Sequence, residues 1–482
     1  VNISSVIKVL GFLLLVTAAC LLLPAAVSLA YGDYDWPYYL AGSGVGVLLG
    51  GGALLFFRGA PDLRVREGFA VVAFGWLCVG LLGAVPYWLS GQMASFTDAA
   101  FESISGFTTT GASILTDIEG RTHGTLFWRA LTHWLGGMGI VLLALAILPL
   151  LGVGGMQLFR AEVPGPVAER LTPRIRETAK LLWMVYGLLT LLEVIALKVA
   201  GMGLFDAVCH SFATMATGGF SNHNSSVGGY ASPAVEWIIT VFMFLAGANF
   251  SLHFLALKGK VTVYGRDEEF KFYGTIILVC SGLIVATLLP IHFYQSVGET
   301  IRHTVFQVVS ILTTTGFGTA DYLLWPPLAH ALLLILMAVG GCAGSTGGGI
   351  KVMRLLVLLK HAKLELKKML HPRAVYTLWF NNRALSPHLQ TNVLGFFLLF
   401  MMVYVAGVLI LTMGGRDIVT SVGATAATLG NIGPGLGLVG PTSNYAFLSG
   451  WEKWLLVGFM LIGRLELFTV LVLILPEAWR KS

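Results

Sequence analysis

Apolar residues gather along this chain into long runs. An α-helix needs about 20 mostly apolar residues to cross a bilayer core. Ten runs meet that length, at 6–30, 38–57, 68–89, 126–151, 179–200, 234–257, 271–294, 327–343 and onward past 350, 388–413 and 451–476. The first, from Val6, is expected to span the membrane, because the core of a cleaved leader is only about 7–15 residues. The gaps between runs alternate in character. Those at 58–67, 156–180, 258–271 and 351–387 are basic, and the others hold a short amphipathic stretch that closes on Thr and Gly.

These Thr/Gly gaps repeat. From Asp98 the chain reads D-A-A-F-E-S-I-S-G-F-T-T-T-G-A-S, and from Asp206 D-A-V-C-H-S-F-A-T-M-A-T-G-G-F-S. From His303 it reads H-T-V-F-Q-V-V-S-I-L-T-T-T-G-F-G, and from Asp417 D-I-V-T-S-V-G-A-T-A-A-T-L-G-N-I-G-P-G. Each copy lies between two apolar runs, so the last eight runs form four copies of span, short helix, loop, span. Repeats of one topology suggest units arranged about an axis along the membrane normal. The expected fold is an all-α polytopic membrane protein with ten transmembrane helices: four repeats around a central pore plus two N-terminal helices. The expected divisions are 1–60, 66–155, 170–262, 268–385 and 386–482.

Composition narrows the class further. Of 482 residues, 56% are hydrophobic and 11% charged, and mean hydropathy is +0.81. Soluble proteins carry about 25% charged residues, so a soluble enzyme, a secreted domain and a disordered chain are excluded. The net charge of +6 does not imply nucleic acid, because its distribution is one-sided. The basic gaps and the two termini hold 23 of the 30 Lys and Arg; the opposite side holds 6, and Arg464 lies within a span. Basic residues mark the cytoplasmic side, so both termini are expected in the cytoplasm. The five cysteines follow no metal-binding or disulfide spacing. Trp36, Tyr38, Trp128, Trp237 and Trp451 read as interface anchors.

A stretch of about 12 residues cannot span, yet each begins and ends on one side. A re-entrant helix and loop meet both conditions, provided the loop is shielded by protein or lines a water-filled cavity. Four such loops about an axis would present a ring of backbone carbonyls, the arrangement that replaces the hydration shell of a monovalent cation. The helix carboxyl ends, each with about half a negative charge, would face the cavity below.

Two features lie outside this pattern. The run from Pro327 is broken by Gly344-Ser345-Thr346-Gly347-Gly348-Gly349, and consecutive glycines weaken a helix by about 1 kcal/mol each. An unwound loop inside the membrane, below the carbonyl ring, is expected there, followed by a basic helix from Lys351 to Arg373. The run lacks the spacing and preceding strand of a phosphate-binding loop. Arg464 lies deep in the last span and is expected either to pair with a carboxylate such as Glu193 or to face the pore as an electrostatic barrier. Glu466 does not share its helix face. His133, Asn249 and Asn392 read as packing hydrogen bonds.

With these motifs in hand, the chain resembles the Trk/Ktr/HKT superfamily of potassium transporters, and within it the bacterial TrkH subunits. The marks are Phe107 to Ala112, Ala216 to Ser221, Leu312 to Phe317, Gly340 to Lys351 and Asn431-Ile432-Gly433-Pro434-Gly435. The resemblance implies a K⁺ filter built from Thr109, Thr110, Gly111, Thr217, Gly218, Gly219, Thr314, Thr315, Gly316, Asn431, Ile432 and Gly433. Counting from Asp417 lands instead on Gly430; the N-x-G-P-G pattern favours Gly433. Gly111, where some sodium-transporting plant relatives have serine, is similar to the potassium-selective members. The resemblance also implies a gate formed by Gly344, Ser345, Thr346, Gly347, Gly348, Gly349 and Arg464. It implies homodimers and a TrkA-type cytoplasmic ring that binds nucleotide, since no such domain is legible in this chain. The expected function is K⁺ uptake, with Rb⁺ and some Na⁺ also passing, across the bacterial inner membrane and without a covalent cofactor. The alternatives are a K⁺/H⁺ or K⁺/Na⁺ symporter and, remotely, an intramembrane enzyme using His133 and Cys209.

Overall fold

The computed structural model describes residues 2–57, 65–139 and 175–479. The expected basic segment 156–180 lies outside these residues up to 174, as do the second half of the expected span 126–151 and most of the gap 58–67.

The chain is all-helical apart from a two-residue hairpin, β1 (Trp379–Phe380) with β2 (Arg383–Ala384). Helices α1 (Ile3–Cys20), α2 (Leu22–Tyr31) and α3 (Trp36–Phe56) pack on α4 (Val65–Leu89) and α6 (His123–Gly137). Small residues allow the close approach of α1 and α3: a Cβ on Gly50 would lie 2.5 Å from the carbonyl oxygen of Gly11. Asp35, fully buried, anchors the corner by accepting hydrogen bonds from Ser28 Oγ at 2.5 Å and from the Thr122 and Thr125 hydroxyls.

Four short helices recur at the expected places: α5 (Phe96–Phe107), α8 (Leu204–Met215), α13 (Val297–Leu312) and α17 (Ile418–Leu429). Their starts are encoded locally. Ser95, Ser296 and Asp417 cap three of them by accepting from the amides of Asp98, Glu299 and Thr420 at 2.9–3.1 Å. Hydrogen bonds from Thr420 hold the Asp417 carboxyl below its usual range. Asp98, Asp206 and Glu299 add negative charge to the first turns.

Each helix after a Thr/Gly loop packs on the next short helix. Thus α6 meets α8, α9 (Pro233–Ala246) meets α13, α14 (Pro327–Ala338) meets α17, and α18 (Gly450–Arg464) returns to α5. The order closes into a cycle. Ion pairs reinforce two of the junctions: Arg302 with Glu236 at 2.7 Å and Lys453 with Asp98 at 2.6 Å.

The spans are less continuous than the hydropathy runs. Six helices among the described residues are long and apolar enough to cross a membrane, or eight if each of two bent pairs counts as one span. They include α7 (Ile175–Val199), α12 (Glu268–Leu288) and α16 (Pro387–Met413). The pair α9 and α10 (Phe250–Leu257) bends by 100°, because Asn249 starts a new helix by accepting from the Ser251 amide at 2.8 Å. A four-residue helix, α11 (Val263–Arg266), then leads into α12. The pair α18 and α19 (Glu466–Ile474) bends by 119° at Glu466, whose φ is +54°. The run from Pro327 ends at Ala338, and a new helix, α15 (Val352–Leu370), begins only after the glycine segment. One expected anchor is misplaced: Trp128 is buried against α4, donating to the Gly83 carbonyl at 3.0 Å, because α6 is covered on that face. Trp36, Tyr38, Trp237 and Trp451 are exposed.

Candidate ion-conduction site

The four Thr/Gly loops share one backbone course. The second residue after each short helix has positive φ: Thr109 +52°, Thr217 +53°, Thr314 +59° and Asn431 +54°. Two residues later stands a glycine with positive φ: Gly111 +76°, Gly219 +81°, Gly316 +82° and Gly433 +96°. A β-branched residue in the left-handed region is strained, and such strain persists only where surroundings impose it. Here the short helix imposes it. The amides of Thr109, Thr217, Thr314 and Asn431 turn back onto helix carbonyls at 2.8–3.3 Å, and those of Thr110, Gly218, Thr315 and Ile432 do the same at 2.8–2.9 Å. Threonine hydroxyls brace the turn: Thr108 bonds the Ile104 carbonyl and Thr110, and Thr313 bonds the Val309 carbonyl and Thr315.

The loops then meet in a ring. A Cβ built on Gly111 would lie 2.0 Å from the Gly218 carbonyl oxygen. One on Gly219 would lie 2.0 Å from that of Thr315, one on Gly316 1.8 Å from that of Ile432, and one on Gly433 2.7 Å from that of Thr110. Each glycine therefore abuts the carbonyl just before the next glycine, and the circuit closes. Gly430 stands elsewhere, as the C-cap of α17 with φ −81°. All four ring glycines line one cavity of about 90 Å³, together with Ser221, His223, Asn224 and Tyr445.

Buried polar groups hold the ring from behind. Arg129, 1% exposed, pairs with Glu102 at 2.8 Å and donates to the Ser221 carbonyl. Glu102 in turn accepts from Ser113 Oγ and the Ile114 amide, both at 2.9 Å. His133 has one ring nitrogen 2.8 Å from the Gly106 carbonyl and the other accepting from the Phe220 amide. Both nitrogens are occupied by backbone, as packing requires, and the base of an enzyme with Cys209 would need one free.

The glycine segment 344–349 lies against the opposite side of the ring. The Gly348 amide donates to Thr314 Oγ1 at 2.7 Å, and a Cβ on Gly348 would lie 2.6 Å from the Gly430 carbonyl. Thr346 Oγ1 donates to the Met215 carbonyl at 3.0 Å. Arg464 donates to the Thr346 carbonyl at 2.6 Å and to the Gly136 and Gly137 carbonyls at 2.5 and 3.0 Å. The Lys351 ammonium bonds the Gly347 carbonyl. A second cavity of about 90 Å³ lies against the segment, lined also by Trp76, Gly137, Lys351, Arg464 and Glu466. Glu466 pairs with Arg354. Glu193, the carboxylate weighed for Arg464, is buried on α7 with neither oxygen hydrogen-bonded among the described residues. Asn249 caps α10 beside Gly344, and Asn392 is exposed, bonding His388.

A family profile described as "TrkH: Cation transport protein" matches residues 43–480. The chain belongs to the TrkH family. It is 42% identical to the Trk system potassium uptake protein TrkH of Salmonella typhimurium, covering 99% of each chain. It is 34% identical to the Trk system potassium uptake protein TrkG of Escherichia coli, over 98% of this chain and 97% of that one. Its fold matches the crystal structure of the potassium transporter TrkH from Vibrio parahaemolyticus with a TM-score of 0.90 at 39% identity, over the whole of both chains. This member of the TrkH family is thus a multi-pass membrane protein that transports rather than catalyses.

Sequence reasoning missed two sets of residues. The buried pair Glu102 and Arg129 was visible only as one acid within a repeat and one base at a span start. Glu269, on α12, bonds the amides of both Ala343 and Met353. Nothing in its local sequence marks that role, because its partners lie 74 and 84 positions away.

Proposed function

We propose that this chain carries out potassium uptake across the inner membrane, with K⁺ passing through the ring of Gly111, Gly219, Gly316 and Gly433. The observation that carries the reading is the closed circuit in which each glycine abuts the next loop's carbonyl. Thr109, Thr110, Thr217, Gly218, Thr314, Thr315, Asn431 and Ile432 supply the rest of the filter. Carbonyl dipoles replace the water shell of a monovalent cation, and one short layer discriminates against Na⁺ less sharply than several stacked layers. Segment 344–349 with Arg464 forms the gate: it closes the path beneath the ring, and the guanidinium opposes a passing cation. The relatives' names, potassium uptake proteins, agree with this cargo.

The membrane topology that fits is ten crossings with both termini cytoplasmic. Four span–loop–span units, 66–155, 170–262, 268–385 and 386–482, follow the two-helix unit 1–60. Broken helices count as crossings where they line the path. Segments 351–387 and 156–180 are the docking surface for a TrkA-type nucleotide-binding ring, and the protein works as a homodimer. The symporter reading draws on Glu193, a fully buried carboxyl on α7. Flux of K⁺, Rb⁺, Na⁺ and Li⁺ into liposomes containing the purified protein tests the proposal. K⁺ and Rb⁺ should enter fastest and without an imposed proton gradient. Uptake that requires such a gradient would favour the symporter.

A further inference from the structure

The glycine segment is closed at its base by three backbone hydrogen bonds: Gly340 N–H to the Ile350 carbonyl at 2.8 Å, Ile350 N–H to that of Ala338 at 3.0 Å, and Val352 N–H to that of Gly341 at 3.2 Å. Backbone bonds of this kind would re-form after any small displacement. One side chain adds a constraint of a different sort. Glu269, 4% exposed near the start of α12, accepts at a single carboxylate oxygen from the Ala343 amide at 2.6 Å and the Met353 amide at 3.0 Å. Ala343 immediately precedes Gly344, and Met353 lies in the first turn of α15, just past Lys351. The first amides of a helix have no partner within it and attract negative charge. One oxygen thus joins the entrance of the segment to the helix that leaves it. Without that oxygen both amides would be left buried and without an acceptor, which is costly.

The adjacent residue, Glu268, points to a different partner. Its carboxylate pairs with Lys360, about two turns further along α15. Lys360 also bonds the Trp379 carbonyl in the β-hairpin, and Asn381 of that hairpin bonds the Glu268 amide and Asp267. Two consecutive acids therefore grip α15 at two heights, one of them also holding the glycine segment.

We infer that Glu269 is the positioning residue that latches segment 344–349 in place, and that the Glu268–Lys360 pair makes α15 the lever that releases it. The inference rests on the reading of that segment as the gate. A pull on α15 or its hairpin first strains the half-buried Glu268–Lys360 pair and then lifts Met353 from Glu269. The Ala343 bond alone cannot hold both ends of the segment.

The test uses the full chain in liposomes with no partner protein. Cys342, buried beside the latch, reports displacement directly through its rate of modification by a small thiol reagent, followed site by site by mass spectrometry. Glu269→Ala should raise that rate and the resting K⁺ flux by about tenfold, a shift expected when two buried amides lose a shared acceptor that biases a two-state balance. The K⁺/Na⁺ ratio should stay at the parent value. Glu269→Gln keeps an acceptor oxygen in place and should restore most of the parent behaviour, which a purely space-filling role for the carboxylate would not require of Gln over Met. Glu268→Lys and Lys360→Glu should each raise Cys342 reactivity, and the double exchange should lower it again. If Cys342 in Glu269→Ala reacts as slowly as in the parent, or Glu269→Met recovers as well as Glu269→Gln, the latch is overturned. Faster Cys342 modification with unchanged flux would support the latch and overturn the reading of the segment as the gate.

Discussion

At the scale of single residues, buried charge is used in two distinct ways. Arg129 and Glu102 are both essentially unexposed, and beyond the pair they bond Ser113, Ile114 and Ser221, in loops that shape the ring. Removing one partner of a buried pair leaves the other charge uncompensated and costs about 3–5 kcal/mol. Arg129→Ala should therefore lower the thermal unfolding temperature in detergent markedly, and Glu102→Gln with Arg129→Met together should lower it less than Arg129→Ala alone. Equal losses in the two variants would show that the ion pair is not what matters. Arg464 differs. Its hydrogen bonds to the Thr346, Gly136 and Gly137 carbonyls join the glycine segment to α6 and the last span. Arg464→Ala should raise resting K⁺ flux in liposomes at least tenfold, as expected when about 1.5–3 kcal/mol of charged hydrogen bonding is lost from the closed form. Flux at or below the parent level in folded Arg464→Ala would place the barrier elsewhere.

At the scale of elements, hydropathy located the helices but not their breaks. The runs at 234–257 and 451–476 look continuous because Gly247, Asn249 and Glu466 are single interruptions in apolar sequence. Their consequence is long-range: Asn249 starts a helix beside Gly344, and Glu466 pairs with Arg354 on α15. The fourfold Thr/Gly repeat was legible because its chemistry is local, with a short helix, capped by a side chain in three copies, and a glycine at one place after it. Its fourth copy was ambiguous because Asp417 caps its helix whereas Asp98 lies in the first turn of α5; both helices have 12 residues, and Gly111 and Gly433 stand at the same place after them. The break at 344–349 was legible because three consecutive glycines cannot be mistaken for a stable helix. Of what holds that segment, Arg464 was named with it through the family resemblance, whereas Glu269 and Thr314 were not, since they come from two distant elements. Deleting part of 344–349 should raise K⁺ uptake in liposomes without a partner, and unaltered uptake would make the segment structural. On α15, Lys360 is committed to Glu268 and Lys368 to Glu365, whereas Lys363 and Lys367 are exposed. Lys363→Glu with Lys367→Glu should abolish capture of a TrkA-type ring, and capture at parent level would remove this surface as the docking site.

At the scale of the whole molecule, the cyclic order of contacts is the central fact. Each short helix is packed by the helix that follows the preceding loop, and the last returns to the first. A ring built this way holds four strained loops at one level, so no loop can move without disturbing its neighbour. Gly111 is the most exacting position for this claim: its φ is +76° and a Cβ would meet the Gly218 carbonyl oxygen at 2.0 Å. Serine there must displace that carbonyl, or the loop, from its place in the ring. The most direct measurement is the K⁺/Na⁺ permeability ratio of purified Gly111→Ser against the parent in liposomes. The ring account predicts a ratio lower by about tenfold, equivalent to ~1.4 kcal/mol of lost discrimination. A folded variant with the parent's ratio would contradict it.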